Sequence, residues 1–475
     1  MAPRKKAKAK VTPTLSKSIY GENGVLEYKG IATGFDYHQG ATHLIDKYNL
    51  LYLGKFNRLY KYTEGVYREY DVNLLQRELL EVLSSVKKPN GRVLVKNTDI
   101  MEVISRVKSL KAVSASVFDQ TDNIPYFALK NGMLNLETFK LEDFNPDKYL
   151  LTKSPITYDP SKKCEKWQAF LDSVFTKESK FQDTIQEMFG ACLWPTYCFQ
   201  KAFMLYGPPR AGKGIILRTL TNIIGKDDCA HISLQQAEDR FGPAALYGKK
   251  VNIWGDLPAT PIKDPGRFKG LTGEDPMQVE NKNIDGYPLY NTATMVFSTN
   301  QLPMLAPNVN DKGAFYSRWI MILFTHSFLG SENNAIEPGL QSEDELSGIL
   351  NWSLTGLKRL LSNNWKFTEP IDSKAFYRDM SNPIVVFLNA ECERTEPFST
   401  DGFITKEALL NEAKTYMFEN NLPPITSKRD FTTKMLDQVV IPVAEGRKGS
   451  QGNQYEVWTG IKFRPGRKTK ETTLP

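Results

Sequence analysis

The stretch Gly207-Pro208-Pro209-Arg210-Ala211-Gly212-Lys213-Gly214 decides how the chain is read. Its spacing, G-x-x-x-x-G-K-G, is that of a phosphate-binding loop with one departure at the last position. Upstream, the apolar run 202–206 predicts a buried strand. Downstream, apolar periodicity over 215–224, closed by Gly225, predicts a helix. Strand, glycine-rich loop and helix in that order are what phosphate binding requires. Backbone N–H groups at the helix N-terminus surround the phosphate oxygens, and glycines let the backbone approach closely. Lys213 supplies fixed positive charge near the β- and γ-phosphates. The Ser or Thr that ordinarily follows the lysine and binds Mg²⁺ is here Gly214, so that ligand is missing or replaced by water. ATP and Mg²⁺ are the expected cofactors, with residues 207–214 as the cradle.

A chain of 475 residues with 41% hydrophobic and 24% charged residues has material for a large core, in about two to four domains. No run approaches the ~18 apolar residues of a membrane span, and the first residues hold no apolar segment suited to a secretory signal. Cys164, Cys192, Cys198, Cys229 and Cys392 are scattered, without metal spacing, and read as buried thiols in a reducing compartment. The expected location is the host cell cytoplasm, with no membrane partner. The net charge of +7 is modest, but basic residues collect at both ends and in two loops.

Residues 1–15 form a basic arm, open to three readings: DNA contact, localisation signal or solubilising tail. Residues 16–126 read as an α+β domain, with strands over 50–66 and helices over 72–86 and 100–110. A primase centre is not expected there, because Asp36, His38 and His43 are too loose a set. Next, 128–136 carries Asn131-Gly132 between apolar runs, a tight hairpin signal. Residues 150–160 and a helical run over 167–175 follow.

This segment, with Ile185-Gln186-Glu187-Met188-Phe189-Gly190 and then the loop at 207–214, resembles the phage- and plasmid-type primase-helicases, which carry a superfamily 3 helicase, as does the poxvirus primase-helicase. The resemblance runs over about 127–463 and continues through an ordered set of motifs. Val251-Asn252-Ile253-Trp254-Gly255-Asp256 fits a Walker B strand whose acid holds Mg²⁺ or its water; the neighbouring position, a second acid in many ATPases, is Leu257. The stretch 268–287 resembles the one in which "FK-x-LTGxD" precedes a hairpin gripping single-stranded DNA. The resemblance puts Lys282 and Asn283 near the tip, with Lys269 beside a nucleotide or DNA. Residues 297–303 match the "FSxNxLP" sensor motif, in which the Asn300 amide orients the attacking water. Residues 318–324 resemble "R-W-x-x-I-x-F", whose arginine, here Arg318, acts as a finger on the neighbouring subunit's nucleotide. Arg240 sits in a recurrent "RF" pair of less defined role.

The C-terminal stretch reads as helices over 381–392, 406–420 and 428–439 and strands over 440–443 and 455–461, the last two joined by a Gly- and Arg/Lys-rich loop. Helix-turn-helix plus wing is a winged-helix pattern. Lys428, Arg429 and Lys434 lie on the candidate recognition helix and Arg447 and Lys448 on the wing, suited to phosphate contacts.

The expected fold is α/β: an AAA+-like P-loop ATPase core with an N-terminal α+β region and a C-terminal winged-helix domain. The expected divisions are 1–15, 16–126, a helical collar at 127–195, the ATPase core at 196–330, a closing helix and linker at 331–373, the winged helix at 374–463 and a basic tail at 464–475. The resemblance implies an ATP-driven replicative helicase moving 3′ to 5′ on single-stranded DNA at forks. It would work as a ring homo-oligomer, hexameric in the family, with a separate primase or polymerase. Two alternatives stand: an ATP-switched origin initiator or loader without processive unwinding, and a packaging ATPase, against which the hairpin stretch and winged helix argue.

Overall fold

The structure is a computed structural model that describes residues 19–20, 25–28, 31–84, 86–88, 90–118, 125–281, 284–306, 309, 312–331, 333, 335–396, 402–420, 422, 424–437, 443–450 and 453–464. The basic arm at 1–15, Lys282, Asn283 and the tail beyond 464 lie outside them. The fold is mixed α/β. The chain divides into two compact units, Met1–Lys153 and Ser154–Pro475, so the division falls inside the stretch read as a collar.

In the first unit, a four-stranded sheet orders Val66–Tyr70, Arg58–Thr63, Leu50–Leu53 and Ala112–Val113. The helices Tyr37–Tyr48, Val72–Ser84 and Asn97–Leu110 share a core through Leu44, Leu79, Val103 and Val107. Asp36 accepts from the N–H groups of His38 at 2.8 Å and Gln39 at 3.1 Å and so caps the first helix. That use of its carboxylate explains the loose Asp36, His38, His43 set.

The hairpin near Asn131-Gly132 forms one residue earlier than the Asn-Gly rule places it. Leu129 pairs with Gly132, so the turn is Lys130-Asn131. Gly132 opens the second strand at φ 151°, and a Cβ there would lie 2.6 Å from the Glu142 carbonyl of the third strand. A close approach between strands, rather than the turn, requires this glycine.

The second unit is built on a five-stranded sheet. Its elements are α1 (Glu165–Val174), α2 (Phe181–Leu193), β1 (Ala202–Tyr206), α3 (Lys213–Ile224), β2 (Cys229–Ala230), β3 (Val251–Trp254), α4 (Pro265–Leu271), β4 (Thr294–Thr299), β5 (Trp319–Leu323) and α5 (Glu343–Ser362). The strand order is β2-β3-β4-β1-β5, all parallel. Such strands are covered on both faces, which is why β1 reads as a continuous apolar run and why every residue of β4 is buried, its Thr and Ser ends included.

Helix α5 crosses α2 with backbone in contact. A Cβ at Gly190 would lie 2.4 Å from Leu357 N, and one at Gly356 2.1 Å from Gln186 O. The fully buried Glu187 carboxylate beside this crossing accepts from Arg359 Nη1 at 3.2 Å, Thr368 N at 2.6 Å and Thr368 Oγ1 at 2.9 Å.

Between α4 and β4 lies an antiparallel hairpin, Met277–Asn281 with Ile284–Leu289. Beyond α5, the helix Ser373–Met380 packs on the sheet. Ser373 Oγ accepts from Met321 N at 3.0 Å, and Tyr377 donates to Pro303 O at 3.1 Å. The stretch 374–463 therefore opens against the sheet. The helix expected over 381–392 is present as Pro383–Glu391, its start set by Asn382, which caps it by accepting from Ile384 N at 3.0 Å.

There follow a strand Phe403–Thr405, helices Lys406–Glu419 and Lys428–Asp437, and a hairpin of Ala444–Ser450 with Asn453–Thr459. They close over Phe387, Leu409, Phe431, Met435 and Trp458. The strand expected over 440–443 lies outside the described residues except for Val443. Arg447 and Lys448, expected in the connecting loop, are instead within a strand, opposite Glu456 and Tyr455. The apolar alternation sits only on the second strand, and its backbone ladder extends the glycine-rich partner.

Candidate nucleotide site

A parallel sheet gathers its strand C-termini along one edge, and the loop residues that follow them converge. Here those are Gly207 after β1, Gly255-Asp256 after β3 and Asn300 after β4. Gly207 has φ 155°, and a Cβ there would lie 2.2 Å from Phe324 O. Gly212 caps α3 at φ 94° and packs against Phe170 and Val174 of α1, each 3.3 Å from a would-be Cβ. Both glycines are demanded by backbone shape.

Lys213 is the first residue of α3. Its Nζ donates to Gly207 O at 2.7 Å, Pro208 O at 2.6 Å and Asn300 Oδ1 at 2.9 Å. Burial pushes its ammonium down to about 8, against the upward pull of the Asp256 carboxylate. Asp256 and Asn300 are exposed and line the same cavity, of about 580 Å³. Trp254 Nε1 donates to Asp256 O at 3.0 Å. Leu257 N donates to Ser298 O at 3.0 Å, and the Leu257 side chain is buried, so the position of a second acid faces the core.

The cavity has walls that the motifs did not point to. Phe170 and Ser173 come from α1. The segment after β5 folds over the loop: Ser327 Oγ donates to Pro209 O at 2.8 Å and Phe328 N to Arg210 O at 3.0 Å. Phe328, Ile336 and Glu337 then complete the lining. Phe170, Phe328 and Ile336 contribute apolar lining that suits a flat base, while the loop, Lys213, Asp256 and Asn300 contribute polar lining that suits phosphates. Among the described residues, Asp256 and Glu337 are the carboxylates that line the cavity, and no cluster of three or more His, Cys, Asp or Glu is placed to hold a metal. This donor set fits Mg²⁺ carried mainly by phosphate oxygens and water, with Asp256 as the protein group.

Arg318 does not join this site. It precedes β5, whose Trp319 pairs with Ala202 while Leu323 pairs with Tyr206 at the loop edge. The sheet puts roughly 15 Å between them. Arg318 Nη1 donates to Thr272 O at 3.0 Å, and its carbonyl accepts from Ala202 N at 2.6 Å.

Of the expected DNA-contacting residues, Lys269 is half-buried in the last turn of α4. Lys282 and Asn283 connect the strands of the hairpin and lie outside the described residues. Arg240 gains a role the sequence left open, because its Nε and Nη2 bond Glu280 of the hairpin at 2.8 and 2.6 Å. Lys428 and Arg429 are exposed in the first turn of their helix, which Ser427 caps by accepting from Asp430 N at 3.0 Å. Lys434 is held by Asp430 at 3.0 Å. Arg447 is exposed, and the Lys448 ammonium lies 5.5 Å from the Phe403 ring centroid. Among the described residues no helix is long and apolar enough to cross a membrane.

Comparison with known proteins places two matches along the chain. Residues 41–176 match the family described as D5 N terminal like. Residues 205–318 match a family of unknown function, DUF5906, over a span that starts just before the phosphate loop and ends on Arg318. No curated protein matches the chain. Similar solved structures include an A form apo structure of the NrS-1 C terminal region, at 12% identity and TM-score 0.46, covering 88% of this chain and 98% of that one. A second A form apo structure of that region has 12% identity, TM-score 0.47 and coverages of 90% and 99%. A third apo structure has 12% identity, TM-score 0.48 and coverages of 89% and 98%.

Proposed function

We propose that the chain is an ATP-dependent DNA helicase of the superfamily 3 type, working as a ring in replication. One observation carries the reading: Lys213, Asp256 and Asn300, from the ends of three adjacent strands, meet at one cavity, with Lys213 bonded to Asn300 at 2.9 Å. The strand order around them supports an AAA+-like P-loop core. The match of residues 41–176 to the D5 N terminal like family agrees with the primase-helicase resemblance and extends it upstream.

The residues take complementary roles. Backbone N–H groups of 207–214 and the ammonium of Lys213 bind and orient the triphosphate. Asn300 positions the attacking water, since its amide can both donate and accept. Asp256 holds Mg²⁺ or one of its waters; the ion, when bound, neutralises charge that develops on the phosphates. Arg318 reaches the nucleotide of the adjoining subunit, because it stands at the opposite edge of its own sheet.

The hairpin with Lys282 and Asn283, together with Lys269, faces single-stranded DNA in the ring. The order helix, strand, helix, helix, hairpin at the C-terminus supports a winged helix, with Lys428, Arg429, Arg447 and Lys448 for phosphate contacts. Lys434, already paired with Asp430, has the weaker claim.

The test is ATP-dependent unwinding of 3′-tailed and 5′-tailed duplexes by wild type, Lys213→Ala and Arg318→Ala. Opening of only the 3′-tailed duplex is expected. Arg318→Ala should hydrolyse ATP about a thousandfold more slowly, and mixing the two inactive variants should restore part of the rate. ATP hydrolysis with neither duplex opened would replace this reading by the initiator or loader.

A further inference from the structure

One corner of the cavity has chemistry that the loop motif does not explain. Gly214 stands where a metal-binding hydroxyl ordinarily follows the lysine, and Arg218 lies four residues on, on the same helical face. Helical side chains lean toward the N-terminus, and here the guanidinium covers Gly214. A Cβ at 214 would lie 2.9 Å from Arg218 Nη1, 3.6 Å from Cζ and 3.7 Å from Nη2. The glycine makes room for a second cation at the first turn of α3, and both residues line the cavity with Lys213 and Asp256.

Arg218 is held by Glu337 in a bidentate pair, Nε to Oε1 and, at 2.7 Å, Nη2 to Oε2. Glu337 belongs to the short Ile336–Gly339 turn, downstream of the segment that bonds Pro209 and Arg210. The arginine side chain is 56% exposed and its partner 34%. A pair so open to water is held weakly. A phosphate oxygen at a helix N-terminus is a stronger competitor for the same planar fork.

The geometry points to Arg218 as a phosphate-contacting residue of the nucleotide site, with Glu337 as the counterion that yields to the bound phosphate. This rests on the nucleotide-binding reading above. Charge lost with the hydroxyl-held metal at 214 is supplied by the guanidinium, so phosphate binding depends less on Mg²⁺.

The experiment is titration of full-length protein with a fluorescent ADP analogue in EDTA, for wild type, Arg218→Ala, Glu337→Gln and Lys213→Ala. Arg218→Ala should weaken binding about tenfold or more. Glu337→Gln should tighten it about twofold or more, because the competitor is gone. A strut that merely shapes the pocket would make both variants weaken binding together, and that result overturns the proposal, as does an Arg218→Ala affinity within twofold of wild type. If wild type itself binds no ADP with or without Mg²⁺, the nucleotide reading fails and takes this one with it. If Lys213→Ala abolishes binding while Arg218→Ala does not change it, only the role of Arg218 fails.

Discussion

At the proposed nucleotide site, Lys213 should make affinity a function of pH between about 7 and 9. Its ammonium donates to two loop carbonyls and to Asn300, yet burial pushes it down to about 8. Only the charged form attracts phosphate, and bound phosphate holds the proton in place. Apparent affinity therefore stays level below that value and falls above it. From pH 7 to pH 9 the charged fraction drops from ~90% to ~10%, so Kd should rise about tenfold. The assay is ADP titration at fixed ionic strength across pH 6.5 to 9.5, for wild type and Lys213→Ala. The variant should bind weakly and show a flat profile, because its loop has no titrating cation. A flat wild-type profile would refute the reasoning, as would a slope that survives in Lys213→Ala.

Two further outcomes concern stability. Gly356→Ala forces a Cβ to 2.1 Å from the Gln186 carbonyl, so α2 and α5 must separate; a loss of about 1–3 kcal/mol is expected in denaturant unfolding. Gly313→Ala, with nothing within 4 Å, is the matched control that should change little. Lys250 is buried, and its ammonium is pushed down to about 7 by that burial, with the Cys192 thiol and the Asp228 carboxylate acting in the opposite sense. The folded value lies below the unfolded one, so the penalty is fully present below pH 7 and lifts as pH rises toward 10. Wild-type stability should therefore climb relative to Lys250→Met by up to about 1.4 kcal/mol per pH unit in that window, and parallel curves for the two proteins would contradict the assignment.

The parts of the site legible in the sequence are those in which a short apolar run ends on a distinctive residue. Strand 202–206 before the glycine loop, 251–254 before Asp256 and 294–299 before Asn300 each carry their own signal within about ten residues. A parallel sheet then brings the three tips together without further instruction. The walls of the cavity carried no such signal. Ser327 and Pro209 are bonded across 118 positions of sequence, and nothing local to 327–337 marks it as a cover for the loop. Phe170 and Val174 read as ordinary core residues of an amphipathic helix, and their position over Gly212 appears only once α1 is packed. Gly132 misled for the opposite reason: a familiar turn dipeptide was present, but the glycine answers to a third strand.

Parallel topology also explains why one copy of the chain cannot complete the proposed site. Residues that follow strands share one edge, and residues that precede them share the other. Lys213, Asp256 and Asn300 follow β1, β3 and β4; Arg318 precedes β5. Rotation of a side chain cannot bridge the sheet, so the finger role proposed for Arg318 requires a second subunit. Where it rests matters as much. Its guanidinium is bonded at 3.0 Å to the carbonyl of Thr272, the residue directly after α4, and the hairpin begins at Met277. In the proposed ring, an arginine drawn onto the neighbour's phosphate gives up the Thr272 carbonyl. It frees the base of the element that would hold DNA, and it takes that carbonyl back when the phosphate leaves. In that ring, a single side chain alternating between the two partners would couple hydrolysis in one subunit to the hairpin of the next without a long relay.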